Sequence, residues 1–125
     1  MAFEIQFKTN GVIVRWTEAI SSELIQKANE EIWNRQDWPN FEFEIWDFSE
    51  VTSSDVSRKS AMDFAFLDNA ATKSSKPHRK IAIVVSSHLK PNAINSYSET
   101  AEQLDFEMRV FGSLSEARAW LGVLS

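Results

Sequence analysis

Apolar and polar side chains alternate from the first residues of the chain. Phe3, Ile5 and Phe7 are separated by Glu4, Gln6 and Lys8, the two-residue period of a strand with one buried face. Asn10-Gly11 follows, a pair that tolerates the positive φ angles of a tight hairpin turn, and Val12-Ile13-Val14-Arg15-Trp16 reads as the returning strand. The period then changes. Thr17 and Glu18 supply a capping oxygen and a negative charge for a helix start, and Ile20, Leu24, Ala28 and Ile32 fall on one stripe, with Asn29, Glu30 and Glu31 largely off it. Pro39-Asn40 interrupts the chain before a second alternating strand over 41–48, which ends in Asp47-Phe48-Ser49.

Thr52, Ser53, Ser54 and Asp55 predict the next helix start. Val56, Ser60, Phe64, Leu67 and Ala71 make one helical stripe, and Met62, Phe66 and Ala70 make a second beside it. Together they are wider than a helix lying on a sheet needs, so Met62 and Phe66 are candidates to line a cavity or face a partner. Ile81-Ala82-Ile83-Val84-Val85 is a continuous apolar run of the kind found in strands buried on both faces. Ile94, Tyr97, Ala101 and Leu104 predict a helix after Pro91-Asn92, and 106–111 a final short strand. Ser113 and Glu116 form a capping box for the last helix, with Leu114, Ala117, Trp120, Leu121 and Leu124 inward. The order ββαβαβαβα predicts one α/β domain over 1–125. Its mixed, largely parallel five-stranded sheet carries an N-terminal antiparallel hairpin at an edge, right-handed crossovers and four helices covering both sides.

Composition narrows the function classes. A chain of 125 residues, 43% hydrophobic and 25% charged, is an ordinary single globular domain and not a disordered segment. A net charge of −5 argues against generic nucleic-acid binding, which needs a basic surface to displace counterions. Cysteine is absent, which excludes disulfides and thiolate metal sites. The start has no basic lead followed by an apolar run, and 81–85 is far too short to cross a bilayer, so no signal peptide and no transmembrane segment are expected. A cytoplasmic protein is the default expectation.

Chemistry is sparse. The carboxyl ends of parallel strands, where open α/β sheets place their sites, offer Asp47, Ser49, Ser53, Ser54 and Asp55 from one crossover and Ser86, Ser87 and His88 from the next. A serine, a histidine and an acid therefore share one edge. No G-x-S-x-G elbow accompanies them, three glycines are few to shape an oxyanion hole, and Ser54 is equally explained as a helix cap. His78 and His88 bracket a strand without a carboxylate cluster, so no metal site is expected. Neither a P-loop nor a G-x-G-x-x-G motif is present, and no cofactor is implied. The expected activity is binding, not catalysis.

Asp47-Phe48-Ser49-Glu50-Val51-Thr52, followed by Asp55, resembles the segment of STAS domains in which a strand runs into a D-hydrophobic-S-x-V-x stretch and then D-S. The ending Met108-Arg109-Val110-Phe111-Gly112-Ser113-Leu114-Ser115-Glu116-Ala117-Arg118-Ala119-Trp120-Leu121 looks like the C-terminal signature of the SpoIIAA-like (STAS/SEC14-type) family of small bacterial proteins. The resemblance implies a STAS-like fold and a regulatory module that acts through a protein partner. In anti-sigma-factor antagonists of that family, a serine just after the aspartate is phosphorylated. Here the residue after Asp55 is Val56, so no phosphoacceptor carries over to the matching position. The resemblance also implies an alternative, a carrier or sensor of a small apolar ligand or lipid, for which Met62, Phe66 and the five tryptophans would serve. A homodimer through an edge strand or an exposed apolar helix face is compatible with either reading.

Overall fold

The computed structural model describes residues 3–73, 80–85, 99 and 107–122. Strand β1 (Phe3–Lys8) and strand β2 (Gly11–Ile20) form an antiparallel hairpin. Helix α1 (Ser22–Trp33) and a 3-10 turn (Trp38–Asn40) lead to β3 (Phe43–Ser54), and helix α2 (Arg58–Lys73) leads towards β4 (Lys80–Val85). Strand β5 (Glu107–Phe111) and helix α3 (Leu114–Leu121) complete the described elements. The sheet order is β1-β2-β3-β4-β5, with β1 antiparallel at one edge and the other pairs parallel. This is the expected mixed sheet. Three α-helices are described where the sequence predicts four, and the helix expected over 94–104 lies outside the described residues except for Glu99.

The order of the strands decides where the helices go. Each described crossover steps one strand in the same direction, so right-handed connections place α1 and α2 on the same face. Ile25, Ala28 and Ile32 of α1 and Ala61 and Ala65 of α2 accordingly share a core with Val12, Val14, Trp16, Trp46, Phe48, Ile81 and Ile83. The opposite face carries Ile13, Phe43, Ile45, Ala82 and Val84, and α3 closes it with Ala117, Leu114, Trp120 and Leu121. Ser113 caps α3 by accepting from the Glu116 N–H at 3.2 Å, and Gly122 ends it at φ 69°, a left-handed conformation that suits glycine.

Aromatic rings fill the layer under α1 and α2. Trp16 stacks on Trp46 at 6.0 Å between ring centroids, and Phe3 and Phe48 lie 4.8 and 5.9 Å from Trp16. Such pairs contribute about 0.5–1.5 kcal/mol each beyond their buried area. Because the sheet supplies the bulk, the described side chains of α2 contribute only alanines to the fully buried layer, with Phe64 half-buried beside them. Its inward face is therefore not the predicted stripe. Leu67, expected inside, is exposed. Asn29 of α1, expected off the buried stripe, is 3% exposed, and its Oδ1 has no hydrogen-bond partner among the described residues.

The hairpin turn is Thr9-Asn10, and Gly11 is already the first residue of β2. Neither Asn10 nor Gly11 has a positive φ, so the turn does not need the glycine for its backbone. Gly11 is needed for space. It pairs with Phe43 across β2 and β3, and a Cβ at Gly11 would fall within the Phe43 ring. The turn itself is tied to β3 by the Glu42 N–H donating to the Asn10 carbonyl at 2.7 Å and by Asn10 Nδ2 donating to Glu42 Oε2.

Gly11→Ala should lower stability by about 1–3 kcal/mol in urea denaturation, the cost of forcing a methyl group into a filled core. Phe43→Leu in the same chain should recover part of that loss, because the two changes share one contact. A neutral Gly11→Ala would show that the ring does not constrain this position.

Candidate functional site

Strand β3 runs on past its last described pairing with β4, Phe48 with Val85. Beyond that point β3 pairs with β2 alone among the described strands, through Thr17 with Glu50, Glu18 with Val51, Ala19 with Ser53 and Ile20 with Ser54. Among the described strands, a two-stranded parallel ribbon thus forms an overhang at the carboxyl end of the sheet. It carries the segment 47–55 that the sequence singles out.

The ribbon is irregular. Arg15 pairs with Asp47 and Thr17 with Glu50, so two residues of β2 face three of β3; Glu18 pairs with Val51 and Ala19 with Ser53, so one faces two. Each shift places an extra residue on β3 and re-aims the side chains that follow. Glu44, Trp46 and Phe48 are buried along β3 at alternate positions, and Val51, out of phase with them, joins the same core. Glu18 adopts φ 64°, unusual for a residue with a side chain. Its carbonyl accepts from Thr52 Oγ1 at 2.9 Å, which ties the two strands at the irregular point.

These features correct the predicted element boundaries. Thr17-Glu18 does not start a helix: β2 continues to Ile20, and Ser21 caps α1 by accepting from the Leu24 N–H at 3.2 Å. Thr52 to Asp55 does not start one either. The Ser57 hydroxyl accepts from the Ser60 N–H at 3.0 Å, and the Ser57 carbonyl accepts from Ala61, so Ser57 caps α2.

The individual side chains divide into two groups. Asp47 is only 9% exposed, and its Oδ1 accepts from the Ser49 N–H at 3.0 Å, which shapes the backbone after the regular strand. Ser54 is half-buried, with Oγ accepting from the Val56 N–H at 3.2 Å. Val56 itself packs against the core. Ser49, Ser53 and Asp55 have exposed side chains, while the Asp55 N–H holds the ribbon end by donating to the Ile20 carbonyl at 3.2 Å. Met62 and Phe66, one turn apart on α2, are 43% and 52% exposed. They face outward, not into the layer between helix and sheet. Ser86, Ser87 and His88 follow the last residue of β4 and lie outside the described residues.

Thr17 and Glu18 belong to the ribbon, and the sequence marks them only as a helix start. Thr17 and Glu18 are ordinary helix-start residues, and no local signal separates that use from a bulged strand. Among the described residues no group of three or more acidic or histidine side chains could hold a metal ion, and no helix is long and apolar enough to cross a membrane.

No family model matches the chain, and no curated protein matches it. Solved structures do. The anti-sigma factor antagonist SpoIIAA in its unphosphorylated form superposes with a TM-score of 0.64 at 13% identity, covering 98% of this chain and 100% of that one. An anti-sigma factor antagonist from Mycobacterium paratuberculosis gives 0.58 at 13% identity, over 96% of this chain and 92% of that one. An uncharacterized protein of the DUF3478 family with a SpoIIAA-like fold, from Shewanella loihica PV-4, gives 0.55 at 16% identity over the same shares. The chain has a SpoIIAA-like fold.

The left-handed Glu18 offers a test of the ribbon. Glu18→Gly should leave stability within about 0.5 kcal/mol, since relieved strain offsets glycine's extra chain entropy. Glu18→Val should lower it by about 1–2 kcal/mol, because a β-branched side chain fits that conformation poorly. Equal urea midpoints for the two variants would contradict the backbone assignment.

Proposed function

We propose that the chain is a non-enzymatic, STAS-like regulatory module that captures a protein partner through the β2–β3 overhang and the outer face of α2. One observation carries this reading: Ser49, Ser53 and Asp55 are exposed on a ribbon tied at its second bulge and at its end, and Met62 and Phe66 are exposed on the helix that follows. Polar groups on a held backbone beside exposed apolar side chains suit an interface. The anti-sigma factor antagonists that share the fold favour the same class of activity.

Catalysis has less support from the side chains. The Ser54 hydroxyl is engaged with the backbone at Val56, where it serves the turn instead of an attack. The Sec14-like alternative is not favoured by a particular observation. Met62 and Phe66 point outward, and each of the five tryptophans packs within or against the protein's own two cores. The module we propose works without a phosphorylated serine at the matching position. Val56 stands there, half-buried, and the neighbouring Ser57 is committed to capping α2.

The test is capture of proteins from a bacterial extract on the immobilised chain, compared with its Asp55→Ala and Phe66→Ser variants. Both replace exposed side chains, so melting temperatures should stay near the wild-type value. Each should weaken retention of the captured partner by about tenfold, the usual effect of truncating a contributing interface residue. Identical partners and affinities for all three proteins would overturn the assignment of this surface.

A further inference from the structure

The exposed edge of β1 has the properties of a self-complementary interface. Its six residues pair with β2 in unbroken register from Phe3 with Trp16 to Lys8 with Gly11. It contains no proline, glycine or bulge, and no described strand pairs with its other side. Proteins that stay monomeric usually interrupt such an edge or load it with charges that repel a second copy. Here Phe3, Ile5 and Phe7 line the edge on the helix side, all half-buried against the core, so part of each ring or branch still meets solvent. Phe7 is held in place by Arg35, whose guanidinium lies 3.9 Å from the ring centroid. The paired Asp37 carboxylate fixes Arg35 in turn with contacts of 2.9 and 3.1 Å.

The backbone is correctly phased for addition. A two-residue loop closes on a hydrogen-bonded pair, here Lys8 with Gly11, so the even residues of β1 bond to β2 and the odd ones turn their N–H and C=O outward. Phe3, Ile5 and Phe7 therefore present their backbone groups at the edge.

The charges choose the occupant. Glu4 and Lys8 are both exposed, share the face opposite α1 and α2, and stand two residues to either side of Gln6. An antiparallel second copy centred on Gln6 sets Glu4 of each chain opposite Lys8 of the other, and Ile5 opposite Phe7. The Glu4 and Lys8 positions meet as non-hydrogen-bonded pairs, the geometry in which cross-strand side chains approach most closely. Within the chain these charges are uncommitted: Glu4 receives only a long 3.4 Å hydrogen bond from Gln6, and Lys8 makes no ion pair among the described residues. The other edge differs. On β5, Glu107 is engaged by Lys80 at 4.0 Å and Arg109 lies over the Trp120 ring. We propose that the protein forms a homodimer by antiparallel pairing of two β1 strands about Gln6, joining two sheets into one, with Glu4 and Lys8 as the reciprocal ion pairs.

This inference is independent of the partner surface assigned above, which lies on the overhang and on α2. It is tested by sedimentation velocity with the full chain. Wild type should sediment as a species of twice the 14.3 kDa chain mass, with a measurable dissociation constant. Glu4→Lys and Lys8→Glu should each weaken the dimer about tenfold or more, because two attractions per dimer become repulsions. Circular dichroism should show both variants folded. Mixed in equal amounts, they should form a heterodimer, since every opposed pair is then of opposite sign, and the double variant should regain wild-type association. A wild type that stays monomeric at high concentration overturns the proposal. So does a dimer indifferent to both reversals, or a mixture of the two variants that fails to associate.

Discussion

Crossovers that keep stepping in one direction across a parallel sheet must lie on one side of it, and the rest of this structure follows from that constraint. Helices α1 and α2 share a face because the order β2-β3-β4 never turns back. The opposite face receives, among the described elements, only the eight residues of α3, which follow the last strand and are free of the rule. The Phe43 ring, spread over Gly11, adds to the cover that α3 gives this face.

The same constraint bears on how loops gather at the carboxyl end of the described sheet. Ligand sites of open α/β sheets form where the strand order reverses and adjacent loops diverge to opposite faces. No reversal occurs among the described strands, so no pair of loops separates in that way. At the carboxyl end, β2 and β3 continue together past the last described pairing of β3 with β4.

Legibility in the sequence followed the length and regularity of the local pattern. The hairpin, β4, β5 and the Ser113 cap were readable because each rests on uninterrupted alternation, a continuous apolar run or a capping box. The second halves of β2 and β3 were not. Their bulges break the two-residue period near Phe48, and Thr17-Glu18 and Thr52 to Asp55 carry the oxygens and acids that otherwise mark a helix start. In the folded chain Thr52 bonds across the ribbon to Glu18. The orientation of α2 was ambiguous for a different reason. Its two stripes compete, and the choice depends on how much of the layer Trp16, Trp46 and Phe48 already fill, which is tertiary information. The candidate segment 47–55 could be located from sequence, but not the burial of Asp47, and the sequence left the Ser54 hydroxyl open between a backbone bond and a free nucleophile.

The two extra residues on β3 also bear on how such a domain can diversify. A bulge is a place where the chain already carries a residue with no opposite number, so gaining or losing one there leaves the ladder on either side intact. The overhang can thus lengthen, shorten or rotate its polar face by single-residue insertions and deletions, while Trp16, Trp46 and Phe48 keep their positions in the core. Recognition and stability are encoded in adjoining stretches of one strand, and the point between them tolerates changes in length.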